Sequence, residues 1–99
     1  YERAILLDAI QTGEHPPGTV IELDPSELSA VYAPSPHYAG LPELLSVARQ
    51  LELEFPKRFR IFAVEIVDPL TIGGEMTPAV RDAIPELCRR VRQALREEN

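Results

Sequence analysis

A chain of 99 residues can form one small domain, which buries only about two thirds of the surface that its unfolded form exposes. Its 16 acidic and 10 basic residues give a net charge of −6, which disfavours nucleic acids and anionic membranes as partners. No apolar run approaches the ~20 residues of a membrane span, and the single cysteine, Cys88, excludes an internal disulfide and a multi-cysteine zinc site. A reduced, cytoplasmic setting fits this cysteine content best.

The first predicted element is a strand from Arg3 to Ile10, in which Asp8 interrupts an apolar run that starts at Ala4. Such a run before a turn rich in glycine and proline is typical of a strand buried on both faces in a parallel sheet. Ligand sites in open α/β sheets lie at the carboxyl ends of such strands. Asp8 is therefore either a turn-forming residue or a member of a functional site.

Two shorter features and a loop follow this strand. Thr19–Leu23 is predicted as a second strand near an edge, antiparallel to the first if the two are adjacent, because the short connection has no room for a crossover helix. Asp24–Glu27 carries an N-cap, a proline and a capping-box glutamate, which predict one helical turn. The proline-rich segment 32–40 is predicted to be a loop, since each residue before a proline is pushed out of the α region.

The second half of the chain has the pattern helix, strand, helix. Apolar residues at helical spacing predict an amphipathic helix from about Leu41 to Leu53, and the run Phe59–Val67 predicts a second buried strand. A strand reached through a helix is a crossover unit, so the chain is predicted to have an α/β fold. Thr77 and Pro78 are predicted to cap and begin the last helix, which Pro85 should kink. The apolar stripe of this helix is predicted to comprise Val80, Ile84, Leu87, Val91 and Leu95.

Two residues are the main candidates for chemistry, Asp8 at the end of a strand and His37 in a stiff, proline-flanked loop. A carboxylate and an imidazole together suit a borderline divalent ion such as zinc or nickel, and they also suit general acid–base catalysis. The alternative for Asp8 is a turn residue whose side chain binds local N–H groups, and the alternative for His37 is a solvated residue. Glu65 ends a predicted buried strand as Asp8 does, and it ranks third for the same cleft.

Other reactive side chains fit structural roles better. Ser35, His37 and Asp8 include the residue types of a catalytic triad, but no G-x-S-x-G nucleophile elbow surrounds the serine. His15 lies in a turn rich in glycine and proline and is predicted to be solvated. Cys88 is predicted to be an inert thiol at the edge of the core.

Four short motifs occur in an order that resembles the NiFe-hydrogenase maturation endopeptidases: Leu7-Asp8-Ala9-Ile10, Pro17-Gly18-Thr19, Ser35-Pro36-His37 and Thr77-Pro78-Ala79-Val80. The resemblance implies a three-layer α/β/α fold with a mostly parallel sheet and one antiparallel strand. It also implies a cytoplasmic hydrolase, an aspartyl-type protease that removes the C-terminal extension of a hydrogenase large-subunit precursor after nickel insertion.

The resemblance extends to the site. Family members use a Glu, an Asp and a His around a metal position, and by order and context Asp8 and His37 resemble the Asp and the His. Both residues are therefore expected to be catalytic and to act as metal ligands. The metal implied is nickel, carried by the substrate.

The chain also departs from this family. The Gly-rich strand–loop that carries the family's Glu, and the helix and strand after it, have no counterpart in the sequence. We therefore expect residues 1–99 to be a single domain that forms the C-terminal part of a larger protease domain, inactive by itself. A missing N-terminal segment or a second copy of the chain would complete the sheet. Ala63 and Ile66 stand where many members have Gly and Pro, which indicates a divergent branch.

Two other functions stay open. The first is a non-catalytic accessory module that binds a partner protein on the same fold without cleaving it, as expected if the family's Glu is lacking. The second is another hydrolase of this fold, acting on an aminoacyl ester or a peptide with His37 as the base. Incubation with a nickel-loaded large-subunit precursor distinguishes the first alternative from a peptidase, because only a peptidase cleaves it.

Overall fold

The computed structural model describes residues 1–25, 41–56, 58–67 and 73–97. Within them lie three strands and two helices, in the order β1 (Arg3–Ile10), β2 (Val20–Leu23), α1 (Leu41–Gln50), β3 (Arg58–Glu65) and α2 (Pro78–Glu97). The bounds of β1 and the start of α2 are those predicted. Of the helical turn predicted near Asp24, only its start at Pro25 is described, and the predicted loop 32–40 lies outside the described residues.

The strands form one sheet in the order β1–β3–β2. β1 and β3 are parallel, with Asp8 opposite Ala63 and Ile10 opposite Glu65, whereas β2 runs antiparallel to β3. The predicted antiparallel edge strand is confirmed, but β3 separates it from β1, so the two consecutive strands are not neighbours. Because β1 and β3 are parallel, their carboxyl ends meet at one edge of the sheet, which is where Asp8 and Glu65 lie.

The two helices cover opposite faces of the sheet. On one face, Leu41 of α1 packs against a buried cluster that includes Ile10 and Ala63. On the other face, Ala83 of α2 is buried against Val64. Full burial of a valine or isoleucine side chain stabilises the fold by roughly 1.5–3 kcal/mol, so these clusters hold the layers together. The expected three-layer α/β/α arrangement is confirmed.

The burial of β1 differs from the prediction. Its residues Leu6 and Leu7 are 37% and 55% exposed, although the sequence predicted a strand buried on both faces. In β3, by contrast, every residue from Ile61 to Glu65 is buried. The physical reason is position in the sheet, because β3 has a strand on each side while β1 pairs with β3 alone among the described residues.

Helix α1 ends at Gln50 rather than near Leu53 because the chain turns into a Schellman motif. The N–H of Leu53 donates to the carbonyl of Ala48 at 2.9 Å, and the N–H of Glu52 donates to the carbonyl of Arg49 at 3.3 Å. Glu52 adopts the left-handed conformation that this motif requires, with φ of 53°. The sequence lacks the usual glycine at this position, so the end of the helix was predicted too late.

Helix α2 begins as predicted but is rotated about its axis. The hydroxyl oxygen of Thr77 accepts a hydrogen bond from the N–H of Val80 at 3.4 Å, as an N-cap does. Val80 and Leu87 of the predicted stripe are half-buried and pack with Ala83 against the sheet, whereas Ile84 and Leu95 are 40% and 43% exposed. The fully buried residues of the helix are Ala83 and Ala94, which a stripe chosen by hydrophobicity alone missed.

Pro85 and Cys88 both lie within α2. The helix continues through Pro85, which lies inside it. Cys88 is exposed, so the prediction that it lies at the edge of the core was wrong, and the rotation of the helix explains why. No helix in the described part of the chain is long and apolar enough to cross a membrane.

Candidate functional site

Asp8 lies on β1, close to the carboxyl edge of the sheet. Side chains alternate between the two faces of a strand, so Asp8 shares the face of Ile10, which is the face that α1 covers. Its side chain is half-buried, and its Oδ1 atom accepts a hydrogen bond from the N–H of Ala9 at 2.8 Å. This local bond is the kind expected of a turn residue, but Asp8 lies within the strand and not in the turn that follows.

His37 lies outside the described residues, and so does Ser35. The nearest described residue after His37 is Leu41, the first residue of α1. Leu41 packs on the same face of the sheet that carries Asp8. The first described residue after His37 therefore lies on the Asp8 face of the sheet.

Glu65, the third candidate, is a buried carboxylate at the end of β3. It is 2% exposed, and its side chain lies on the α1 face because Ala63, two residues earlier, does. Its Oε2 atom accepts a hydrogen bond from the N–H of Thr12 at 2.8 Å, and its Oε1 atom accepts one from the Thr12 hydroxyl. The Glu65 carboxylate therefore binds the turn that follows β1.

These hydrogen bonds determine the charge of Glu65. Burial raises the pKa of its carboxyl group, but the donors on Thr12, the N–H of Gly13 and the nearby His15 lower it by more. The net result is a pKa below the ordinary value of 4.5, so Glu65 is an anion at neutral pH. His15 itself is exposed, as predicted.

The main chain attaches the same turn to the end of β3. The N–H of Ile66 donates to the carbonyl of Ile10 at 2.8 Å, and the Gln11 side chain donates to the carbonyl of Val67 at 3.0 Å. On the far side of the turn, the N–H of Gly18 donates to the carbonyl of Glu65 at 2.8 Å. The segment that leaves β1 is thus held by several bonds to one short stretch of chain.

Gly18 also explains why the turn contains a glycine there. Its φ is +89°, and a Cβ atom at this position would lie 2.5 Å from the carbonyl oxygen of Ala79. Only glycine tolerates both that backbone conformation and that close approach. The Pro17-Gly18-Thr19 and Thr77-Pro78-Ala79-Val80 motifs therefore meet in space, because the turn packs against the start of α2.

The structure thus brings two of the three candidate carboxylate or imidazole groups to one place. Asp8 and Glu65 lie on adjacent parallel strands and on the same face, as diagonal neighbours. Among the described residues, no group of three or more His, Cys, Asp or Glu side chains could hold a metal ion. The role of Glu65 was underestimated from the sequence because its partner Thr12 is 53 residues away along the chain.

A second polar cluster lies on the α2 face. The Arg60 guanidinium binds Glu22 of β2 at 2.6 Å and Glu97 of α2 at 2.9 Å, and it stacks 5.4 Å above the ring of Phe62. The two carboxylates raise the pKa of Arg60 further above its ordinary value. The adjoining cavity of about 180 Å³ contains charges of both signs. We assign this cluster to stability, because it links β2, β3 and the end of α2.

Comparison with known proteins gives consistent matches. The model of the hydrogenase maturation protease family matches residues 1–94. The hydrogenase 2 maturation protease of Escherichia coli (strain K12) is 36% identical over 98 residues, which are 97% of this chain and 58% of that protein. The solved structure of the hydrogenase maturating endopeptidase HybD from E. coli matches with a TM-score of 0.67 and 31% identity, over 99% of this chain and 60% of that one.

These matches agree with the motifs in the sequence and with the observed three-layer fold. The chain spans 58% of the length of the curated relative and 60% of the solved structure. Within that span, the family match includes both ends of the turn and the strand that carries Asp8. The chain therefore belongs to the hydrogenase maturation protease family.

Proposed function

We propose that this chain is part of an endopeptidase that removes the C-terminal extension of a NiFe-hydrogenase large-subunit precursor after nickel insertion. The observation that carries the proposal is the family match over residues 1–94, with Asp8 at the carboxyl edge of a parallel strand pair. That edge is where ligand sites in open α/β sheets lie. The single cysteine supports a reduced, cytoplasmic setting for the reaction.

In this proposal Asp8 and His37 engage the nickel ion of the substrate and position the scissile peptide. Nickel would supply Lewis-acid polarisation of the scissile carbonyl or of a water molecule. Asp8 offers carboxylate oxygens from a strand, and a strand holds a side chain more rigidly than a loop does. His37 would add an imidazole nitrogen, the ligand type that suits nickel.

The two proposed ligands would not complete a metal site by themselves. A resident catalytic metal commonly has three protein ligands. Asp8 and His37 alone would hold a nickel ion loosely, so the remaining ligands would come from the large subunit or from the rest of the protease domain.

We further propose that these residues are the C-terminal part of a larger protease domain and are inactive without the rest. The exposed side chains of Leu6 and Leu7 support this, since both belong to a strand whose sequence suits burial on both faces. The chain's coverage of 58% of its curated relative agrees with it. A second copy of the chain is the other way to cover this edge.

The site assignment is tested by titrating the full-length protein with nickel or cadmium. We expect Asp8→Ala and His37→Ala each to weaken metal binding by about tenfold or more. Asp82→Ala is the matched control, because Asp82 is an exposed carboxylate on α2, and it should bind metal as the wild type does. Unchanged affinity in both Asp8→Ala and His37→Ala would contradict the assignment.

The second candidate function is a binding module that recognises a partner without cleaving it. Such a module would use the Asp8 side of the sheet for recognition alone. Incubation of the full-length protein with a nickel-loaded precursor separates the two functions. A shortened large subunit excludes the binding-only function, whereas a stable complex with an intact precursor supports it.

A further inference from the structure

Glu65 is a buried ionic group that the proposed reaction does not use. It is 2% exposed, and a carboxylate is strongly disfavoured in such a place unless its oxygens are bound. Both of its oxygens accept hydrogen bonds from Thr12, one from the N–H and one from the hydroxyl. These bonds join the end of β3 to the first residues after β1, so the carboxylate connects two segments that are distant in the sequence.

The Thr12 hydroxyl takes part in two hydrogen bonds. The Thr12 hydroxyl donates to Glu65 while its oxygen accepts the N–H of Glu14 at 3.1 Å. The Thr12 hydroxyl thus connects Glu65 to the turn and also closes the turn internally. Removing this hydroxyl would remove its bonds to Glu65 and to Glu14, while the bond from the Thr12 N–H to Glu65 and the buried carboxylate stay in place.

The Asp8 site lies only a few residues before Thr12 in the sequence. Asp8 precedes Thr12 on the same extended stretch, and its side chain is on the face of the sheet that also carries Glu65. β1 lies at the edge of the described sheet, and β3 is its one strand neighbour among the described residues. The bonds to the end of β3 therefore help to fix the direction in which the chain leaves Asp8.

We propose that Glu65 is a positioning residue for the Asp8 site, which it serves by anchoring Thr12 and Gly13 against the end of β3. This inference rests on the proposed function, because a positioning role has meaning only if Asp8 contacts the substrate. Because Glu65 is 2% exposed and both of its oxygens are bound by Thr12, it would act through the turn and not by contact with the metal or the peptide. A displaced catalytic group lowers the rate of the bound complex more than it weakens binding.

The test uses the full-length protein and nickel-loaded large-subunit precursor, with kcat and KM measured separately. Thr12→Val removes the hydroxyl and keeps the shape, and we expect it to lower kcat by about tenfold with KM within about twofold. Thr12→Ser keeps the hydroxyl and is the matched control, expected to retain kcat within about twofold. Glu65→Leu should lower kcat at least as much as Thr12→Val does.

A structural role alone predicts a different pattern. Each variant is assayed well below its thermal midpoint, so a residue that only stabilises the fold would lower the midpoint and leave kcat unchanged. Thr12→Val with wild-type kcat would overturn the proposal. If Glu65→Leu does not fold, Thr12→Val decides the question, because it keeps the carboxylate.

Failure of this inference is distinguishable from failure of the proposed function. Asp8→Ala is assayed in parallel for that purpose. Inactive Asp8→Ala together with fully active Thr12→Val contradicts only the positioning role of Glu65. A fully active Asp8→Ala variant contradicts the proposed function, and it also contradicts the positioning role of Glu65.

Discussion

Two carboxylates at neighbouring strand ends have different surroundings, and those surroundings suit them to different tasks. Asp8 is half-buried and accepts a bond from the adjacent N–H of Ala9. Glu65 is almost fully buried, and its oxygens are bound by Thr12. A group that must meet a substrate has to be partly accessible, whereas a buried carboxylate that organises a turn needs hydrogen bonds to both oxygens. The half-buried Asp8 fits the first task and Glu65 fits the second.

The lowered pKa of Glu65 predicts how stability changes with pH. Because the folded pKa lies below the ordinary value of 4.5, the ionised form stabilises the native state above about that pH, and this stabilisation is lost as pH falls through the folded pKa. Glu65→Gln removes the titrating group. We expect the difference in unfolding free energy between wild type and Glu65→Gln to be constant near neutral pH and to shrink below pH 4.5.

Urea unfolding at several pH values from neutral to acidic measures this difference. Glu14→Gln, at an exposed position in the same turn, is the control and should leave the pH dependence as in the wild type. A difference between wild type and Glu65→Gln that does not change on acidification would contradict the assigned hydrogen bonds.

At the scale of elements, the sequence predicted which segments are strands and helices better than it predicted their neighbours. Arg3–Ile10 and Phe59–Val67 are both apolar runs, yet only the second lies at the centre of the sheet. A run of apolar residues indicates that a strand can be buried, whereas its actual burial depends on which strands pair with it. The edge position of β1 could not be read from its own residues.

The same limit applies to the helices and to the site. Ala83 and Ala94 are the fully buried residues of α2, and Val80 and Leu87 pack beside Ala83 as half-buried residues. Alanine contributes little to a hydrophobic pattern, so close packing through small residues leaves a weak signal.

Asp8 could be predicted as a site residue because it interrupts an apolar run at a strand end. The anchoring of Thr12 by Glu65 could not, because it joins residues that are 53 positions apart.

The contact between the turn and helix α2 yields a prediction about glycine. Gly18→Ala adds a Cβ atom only 2.5 Å from the Ala79 carbonyl oxygen, in a backbone conformation that L residues rarely adopt. We expect it to destabilise the fold by about 3 kcal/mol, from the left-handed conformation and the overpacking together. Urea unfolding monitored by circular dichroism measures the loss.

Gly13→Ala is the matched control for this substitution. Gly13 also has a positive φ, of +73°, but no atom lies within 4 Å of the Cβ position. Only the conformational cost of about 1 kcal/mol should remain. Equal losses in the two variants would show that the turn does not pack against α2 as described.

At the scale of the whole molecule, the two edge strands of the described sheet differ in their contacts. On β2, Glu22 is linked through Arg60 to β3 and to Glu97 at the end of α2. On β1, Leu6 and Leu7 are partly exposed. The family members that this chain resembles are longer, since it spans 58% of the curated relative. The proposed larger domain would cover the strand that carries Asp8, which links completion of the fold to completion of the site.

The most direct test of the account is cleavage of a nickel-loaded hydrogenase large-subunit precursor by the full-length protein and by its Asp8→Asn variant. Asparagine keeps the size of the side chain and removes its charge, so folding should be preserved while metal and substrate contacts are weakened. We predict release of the C-terminal extension by the wild type and a rate lower by a factor on the order of 10² in Asp8→Asn. Equal rates for the two proteins, or an intact precursor with the wild type, would contradict the central role given to Asp8.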